Sequence, residues 1–496
     1  MNHSEPSNPF DENQPIPVRF WWLQRIGCGT VLFIALFAAL RWAAARHVAS
    51  LRQTQIDAIH AKGERLLVEE YLTTPPPDDQ NAAVALVQAG EMANSVFQGG
   101  KFDELDTTYT WPCPIPSGDM AKVRPYIAAC APAILLARQA RARPALDWKI
   151  PYDSKTYSFD DAKHLSSQRT LAHALYRQAI YAHSIGNDAA AIQCIRDALY
   201  IGDALDHDPF YVDHLVTMGC DALACRTLET VWPTLVVDDH SAGADLAVKM
   251  WDPANPGMPV KGAIGATPWQ LHALLADLLA ENRYCNGPVE AFKKTRMHIS
   301  DVYHALAAGG IGKDHYDELR VRWANQVTIP PTRWAITRNT LLPMDQPWRT
   351  LALWGYAPAI ERDGITAMDV CTAQARAAGQ PDLPAAMRDF QAIRKSRALS
   401  TPPLNLPLLK GILDLRLSDD TRIISMHFQG LAQRRAAAVL VAARLFEIEN
   451  HRFPASQAEL VPEYLPHVLI DPCVCTPIAL PSPTTRPGGA ATKRGN

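Results

Sequence analysis

The chain has 496 residues, of which 48% are hydrophobic and 20% charged, which is apolar enough to bury two or three cores and rules out an intrinsically disordered protein. Its 48 Lys and Arg face 51 Asp and Glu mixed along the length, for a net charge of −3; no basic footprint exists, so nucleic acid is excluded as a partner. The 10 cysteines are irregularly spaced and do not form a disulfide framework, although single pairs such as Cys220 with Cys225 stay open.

The strongest local signal is the uncharged run Ile26–Leu40, framed by Arg25 and Arg41. At a rise of about 1.5 Å per residue it spans only about 22 Å, short of the roughly 30 Å hydrocarbon core. Phe20–Leu23 and Trp42–Ala45 make up the difference. A transmembrane anchor over 20–45 is therefore predicted, in contact with the lipid bilayer, its arginines snorkelling and its tryptophans at the interfaces. A cleaved signal peptide competes, with Ala43-Ala44-Ala45 as the small residues. The acidic tail (Glu5, Asp11, Glu12) and Arg41-Trp42 weigh against it. Arg19 and Arg25 precede the run and Arg41, Arg46 and Arg52 follow it, a one-charge lean toward a cytoplasmic body that leaves the side open.

Beyond the polar tail (1–19) and the anchor, residues 46–95 read as a stalk and a second helix. Val48, Leu51, Ile56, Ile59, Leu66, Leu67 and Leu72 keep helical spacing until Pro75-Pro76-Pro77 stops them. Asp78, Asp79 and Asn81 are cap-type residues before Ala82–Ala93. Within 96–251, Gly99–Ser117 reads as a loop, and Ser166–Ile185 and Asp188–Leu205 as a helical hairpin joined at Gly186-Asn187. Ala179, Gly186, Ala191, Ile195 and Ala198 resemble one tetratricopeptide-type repeat, without a second copy at the period an array requires. Residues 252–425 open with a Pro- and Gly-rich stretch. Helices are then expected at Trp269–Glu281, Pro288–Ala308, Arg349–Ile360, Thr366–Ala378 and Leu383–Leu399. With Gly430–Glu449 in the segment 426–478 and almost no period-2 alternation, the fold class is mostly α: an N-terminal transmembrane helix and stalk followed by an irregular multi-helix body.

That last helix runs into His451-Arg452-Phe453-Pro454, Ser456 to Glu459 at capping-box spacing, Leu460-Val461-Pro462, Tyr464-Leu465-Pro466 and Asp471-Pro472. The arrangement resembles the tail of uncharacterised bacterial single-pass membrane proteins and, more distantly, the pseudopilin segment of type II secretion. The resemblance implies an extracytoplasmic body, against the charge lean, and names no reaction. His451 stands where the family has its turn glycine, and Cys473 and Cys475 where it has an aromatic and a glycine. The tail 479–496 reads as disordered.

The densest set of chemically able side chains is Asp203, Asp206, His207, Asp208, Asp213 and His214, with Asp206, His207, Asp208 and His214 as weak catalytic candidates able to act as acid–base groups. The ordinary reading is a solvated helix terminus with Asp208-Pro209 opening the next helix. His173 and His183 fall on one predicted helix face, without a third ligand. Cys473-Val474-Cys475 is a single two-cysteine step, and Gly309-Gly310-Ile311-Gly312-Lys313 lacks the first glycine and the Ser or Thr of a phosphate loop. Arg322-Trp323, Arg333-Trp334, Arg338 and Trp348-Arg349 offer guanidinium and aromatic surface to a partner or simply pack as loop. No cofactor or metal motif occurs, so none is expected. The sequence is read as an interaction or scaffold module with a protein partner; the alternative is a membrane-tethered enzyme centred on Asp203–His214.

Overall fold

The computed structural model describes residues 21–99, 111–150, 163–207, 209–238, 264–307, 347–399 and 420–481. Among these the chain is built from helices α1 (Trp21–His60), α2 (Ala82–Gln98), α3 (Ser117–Ala140), α4 (Lys163–Ser184), α5 (Asp188–Leu205), α6 (Tyr211–Val231), α7 (Pro268–Leu279), α8 (Asn282–Ala307), α9 (Pro347–Ala378), α10 (Leu383–Leu399) and α11 (Asp420–Asn450). Among the described residues, strand is confined to one two-residue antiparallel ladder, β1 (Ile470–Asp471) with β2 (Thr476–Pro477). The protein is mostly α, as its helical periodicity predicts. The segments 309–313 and 322–338, together with Asp208, lie outside the described residues.

The chain divides into two units, Met1–Gly63 with Tyr303–Ile365, and Glu64–Val302 with Thr366–Asn496. In the first, α1 is long and apolar enough to cross a membrane, and its apolar window is entirely unburied. Val31, Leu32, Phe33 and Leu40 are exposed, and the Arg46 guanidinium lies 4.2 Å from the Trp42 ring centroid, a cation–π contact next to the apolar run. Toward its C-terminus the same helix buries Val48, Ile56 and Ile59, and Arg52 pairs with Glu361 at 3.5 Å. The predicted stalk is shorter than its apolar spacing suggests. It ends at His60, where Gly63 takes a positive φ of 72° and its N–H caps the His60 carbonyl at 2.8 Å. Beyond it Leu66 is buried next to a 3₁₀ turn at Val68–Glu70, whose Glu70 carboxylate accepts from the Leu66 and Leu67 N–H groups.

In the second unit Asn81 caps α2 by accepting from Ala83 N–H, and α2 packs on α3 and α4. Helix α3 is absent from the sequence reading because Pro125 and Pro132 lie inside it. It also passes a length and apolarity test for a membrane span, but nearly half of it is buried, with Ile127, Cys130 and Ile134 in the core. Buried Asp197 on α5 accepts from Arg138 at 2.9 Å and lies 3.0 Å from Arg141, both from the end of α3. The predicted hairpin forms between α4 and α5. Gly186 supplies the positive φ of 79°, and Asn187 accepts from Ala190 N–H. Helix α5 is buried on nearly every side among α4, α6 and α7, which its alanines at 189, 190, 191, 198 and 204 allow. The two helices expected at Arg349–Ile360 and Thr366–Ala378 are one, α9, with Pro358 inside it.

Helix α11 begins at Asp420, ahead of the expected Gly430, and packs on α6, α7 and α10. After it, Gln457–Leu460 is a 3₁₀ turn in which the Ser456 hydroxyl makes no cap; Glu459 instead accepts from Ala455 N–H and from Arg452. The expected capping box is thus not formed, because Glu459 reaches back one residue too far, to Ala455 rather than Ser456. His451 and Cys475 have φ of 56° and 58°, in the region that favours glycine, and both are exposed. His451→Gly and Cys475→Gly should each raise stability by about 1 kcal/mol by relieving this strain. Urea unfolding of the full chain in detergent checks this; an unchanged or lower midpoint for both variants would contradict it.

Candidate functional site

Helix α5 ends at Leu205 with Asp206 as its C-cap, and α6 begins at Tyr211 once Asp213 has accepted the Phe210 N–H at 2.7 Å. That short connection brings His214, in the first turn of α6, back onto Asp206: Nδ1 lies 3.0 Å from Oδ1 and 3.1 Å from Oδ2. His214 Nε2 is 3.1 Å from Nδ1 of His427 on α11. The Tyr284 ring from α8 stacks on His427 with centroids 5.0 Å apart, and its hydroxyl donates to the His427 carbonyl at 3.1 Å. Asp206, His214, His427 and Tyr284 are all buried. Their closeness depends on glycine: a Cβ on Gly287 would sit 2.3 Å from His214 Nδ1, and one on Gly430 would sit 2.0 Å from the Tyr284 hydroxyl.

About two turns further along α11 a second polar centre is built on Arg434, whose side chain is 0% exposed. It pairs with Asp221 of α6 at 2.6 Å and Asp203 of α5 at 3.3 Å, and donates to the carbonyls of Asp277 (2.7 Å), Leu278 (3.0 Å) and Ala280 (3.3 Å) at the end of α7. Those carbonyls would otherwise be unsatisfied helix-terminal acceptors. A single guanidinium therefore closes the ends of one helix and pins two others.

The electrostatics follow from burial. Desolvation pushes His427 well below the usual imidazole range, helped by the neighbouring His214 and Arg435, so His427 is neutral and can offer Nδ1–H to His214 Nε2. Burial works against the Arg434 charge, but Asp221 and Asp203 outweigh it and keep the guanidinium protonated. Asp203 is pushed up to about 7 by burial, with Arg434 opposing and Asp221 and Asp206 adding repulsion. Two carboxylates thus share one guanidinium, and burial raises both, Asp221 as well as Asp203.

Of the weak candidates, Asp206 and His214 converge, while His207 in the same turn is exposed. The solvated terminus expected there is instead packed inside the unit. His427, Tyr284 and Arg434 were not among the candidates. The available signal was their pattern: His427, Leu431, Arg434 and Ala438 follow helical spacing, placing an imidazole and a guanidinium on an apolar stripe. His173 is half-buried, while His183 turns to Asp188 and Thr234. Burial and Asp471 raise the Cys473 thiol, which makes it a poor nucleophile. Among the described residues no group of three or more His, Cys, Asp or Glu is arranged to hold a metal ion. Comparison with family models, curated proteins and solved structures finds no match to this chain.

Arg434→Ala leaves Asp221 buried without its partner and should destabilise the chain by about 3–5 kcal/mol, whereas Arg434→Met with Asp221→Leu should recover much of the loss. Thermal melts of both variants test this, and an Arg434→Ala melt equal to wild type would overturn it. The two titrating groups act oppositely. As pH falls below the ordinary imidazole value, unfolded chains protonate at position 427 while the folded state resists, so stability is lost. Asp203 takes up its proton in the folded state as pH falls through about 7, and this adds stability. Asp203→Asn should therefore steepen the acid loss between pH 7 and pH 5, and His427→Gln should flatten it. Urea midpoints measured at intervals of one pH unit would read this directly, and parallel pH profiles for all three proteins would refute it.

Proposed function

We propose that the chain is a single-pass, membrane-anchored helical protein whose body serves as an interaction or scaffold module for a protein partner. The observation that carries the reading is α1, whose apolar run is exposed along its whole length while the same helix becomes polar and packed beyond Val48. An exposed apolar run is costly in water, and with its tryptophan-bearing flanks the helix is long enough to cross a bilayer. The hairpin α4–α5 supports an interaction role through its likeness to a tetratricopeptide unit. The C-terminal turn segment supports kinship with bacterial single-pass proteins, since His451 and Cys475, standing at that family's glycine positions, both have positive φ. The alternative of a membrane-tethered enzyme centred on Asp203–His214 draws support from the meeting of Asp206 with His214, but burial of both groups favours a structural role for them.

Alkaline carbonate extraction should leave the full chain in the membrane pellet, and removal of residues 21–45 should release it. Crosslinking in native membranes should then recover one reproducible protein partner. Release of the intact chain by carbonate would defeat the anchor, and repeated recovery of the chain alone would defeat the interaction role.

A further inference from the structure

A chemically complete constellation lies at the turn of the α4–α5 hairpin, away from the buried network around Arg434. His183, in the last turn of α4, places Nδ1 2.5 Å from Asp188 Oδ1 at the start of α5, and Nε2 2.7 Å from Thr234 Oγ1. Asp188 is 2% exposed and His183 8%, whereas Thr234 is exposed. The second Asp188 oxygen accepts the Val236 N–H at 2.6 Å. In the tautomer that lets the Asp188 carboxylate accept, His183 carries its hydrogen on Nδ1 and Nε2 accepts from the Thr234 hydroxyl. The hydroxyl of an exposed residue, backed by an oriented imidazole and a buried carboxylate, is the arrangement that activates an oxygen nucleophile.

Backbone bonds frame it: Asp188 N–H donates to the Ile264 carbonyl at 2.9 Å, Ala266 N–H to Val236 O at 2.8 Å, and Asp238 N–H to Ala266 O at 2.9 Å, so one short segment pins both the hairpin turn and the chain that follows the Trp232–Thr234 3₁₀ turn. Cys113, the other nucleophile near Asp188, is held as a thiol: burial, and then the Asp188 charge, push it up to about 11. Ile185 and Val236, two residues from His183 and Thr234, are exposed apolar side chains suited to an apolar acyl group.

We propose that Thr234, His183 and Asp188 form an acyl-transfer site that hydrolyses carboxylic esters carrying an apolar acyl chain. Thr234 Oγ1 bonds to the ester carbonyl carbon while its proton passes to His183 Nε2. The ester C–O bond then breaks and the leaving alkoxide takes that proton. Water next adds to the acyl-threonine, giving a proton to Nε2; the carboxylic acid departs and the Thr234 hydroxyl is restored. Asp188 orients the imidazole throughout and is a positioning residue.

The test is p-nitrophenyl butyrate hydrolysis by the detergent-solubilised full chain, with Thr234→Val, Thr234→Ser and Cys113→Ala compared by rate and melting temperature. Thr234→Val should lose about 100-fold or more in rate at an unchanged melt, the scale expected when general-base activation of the nucleophile is removed. Thr234→Ser should retain turnover, Cys113→Ala should match wild type, and an alkyl fluorophosphonate should label Thr234 by peptide mass spectrometry. Equal rates for wild type and Thr234→Val, including no turnover in either, would overturn the proposal. So would labelling elsewhere or loss of turnover in Cys113→Ala. A lowered melt with unchanged rate in Thr234→Val would assign the triad to hairpin bracing alone.

Discussion

The second unit depends on the Arg434 guanidinium. A charge buried to 0% exposure is tolerable only if every donor is used, and here five acceptors on three other helices receive it. This requirement fixes the azimuth of α11, because a rotation that moved Arg434 off its partners would strand both the cation and Asp221. It also sets the depth at which α7 ends, since its last carbonyls are the remaining acceptors. Apolar packing among Leu274, Leu278, Ala438 and Val441 supplies area, but it is non-directional; Arg434 supplies the register.

The neighbouring Asp206–His214–His427–Tyr284 chain obeys the same logic with weaker charges. Each imidazole nitrogen engaged in it faces a partner of matching sense, and glycines at 287 and 430 let ring and carboxylate approach closer than any side chain would permit. Such fully connected buried networks specify one packing arrangement among several that hydrophobic burial alone would accept. The Thr234 constellation differs in one respect, namely that its terminal residue is exposed.

The sequence was legible where its signals were local. Asp188–Leu205 and Leu383–Leu399 have the expected bounds because the first follows a glycine and an asparagine cap and the second keeps clean helical spacing. Helix α3 escaped because prolines normally end a helix, and here Pro125 and Pro132 are accommodated within it. Asp206 and His214 stood out because eight positions separate them; His427 lies 213 positions from His214, and no local pattern links the two. Likewise helical spacing pairs His183 with His173 on its own helix, whereas its partners come from the next helix and from residue 234.

The burial of the thiols carries a consequence for where the body can live. Cys130, Cys194, Cys220, Cys225 and Cys371 are all packed in the interior, and desolvation raises Cys130 to about 11 and Cys194 to about 12, with Cys220 and Cys225 raised further. Thiolate, the form that attacks oxidants and disulfides, is therefore scarce at these positions at neutral pH. The packing asks nothing of glutathione or of an oxidising lumen, and either environment leaves these sulfurs as small apolar fillers. These five interior positions therefore tie the helical packing to neither a reducing nor an oxidising compartment.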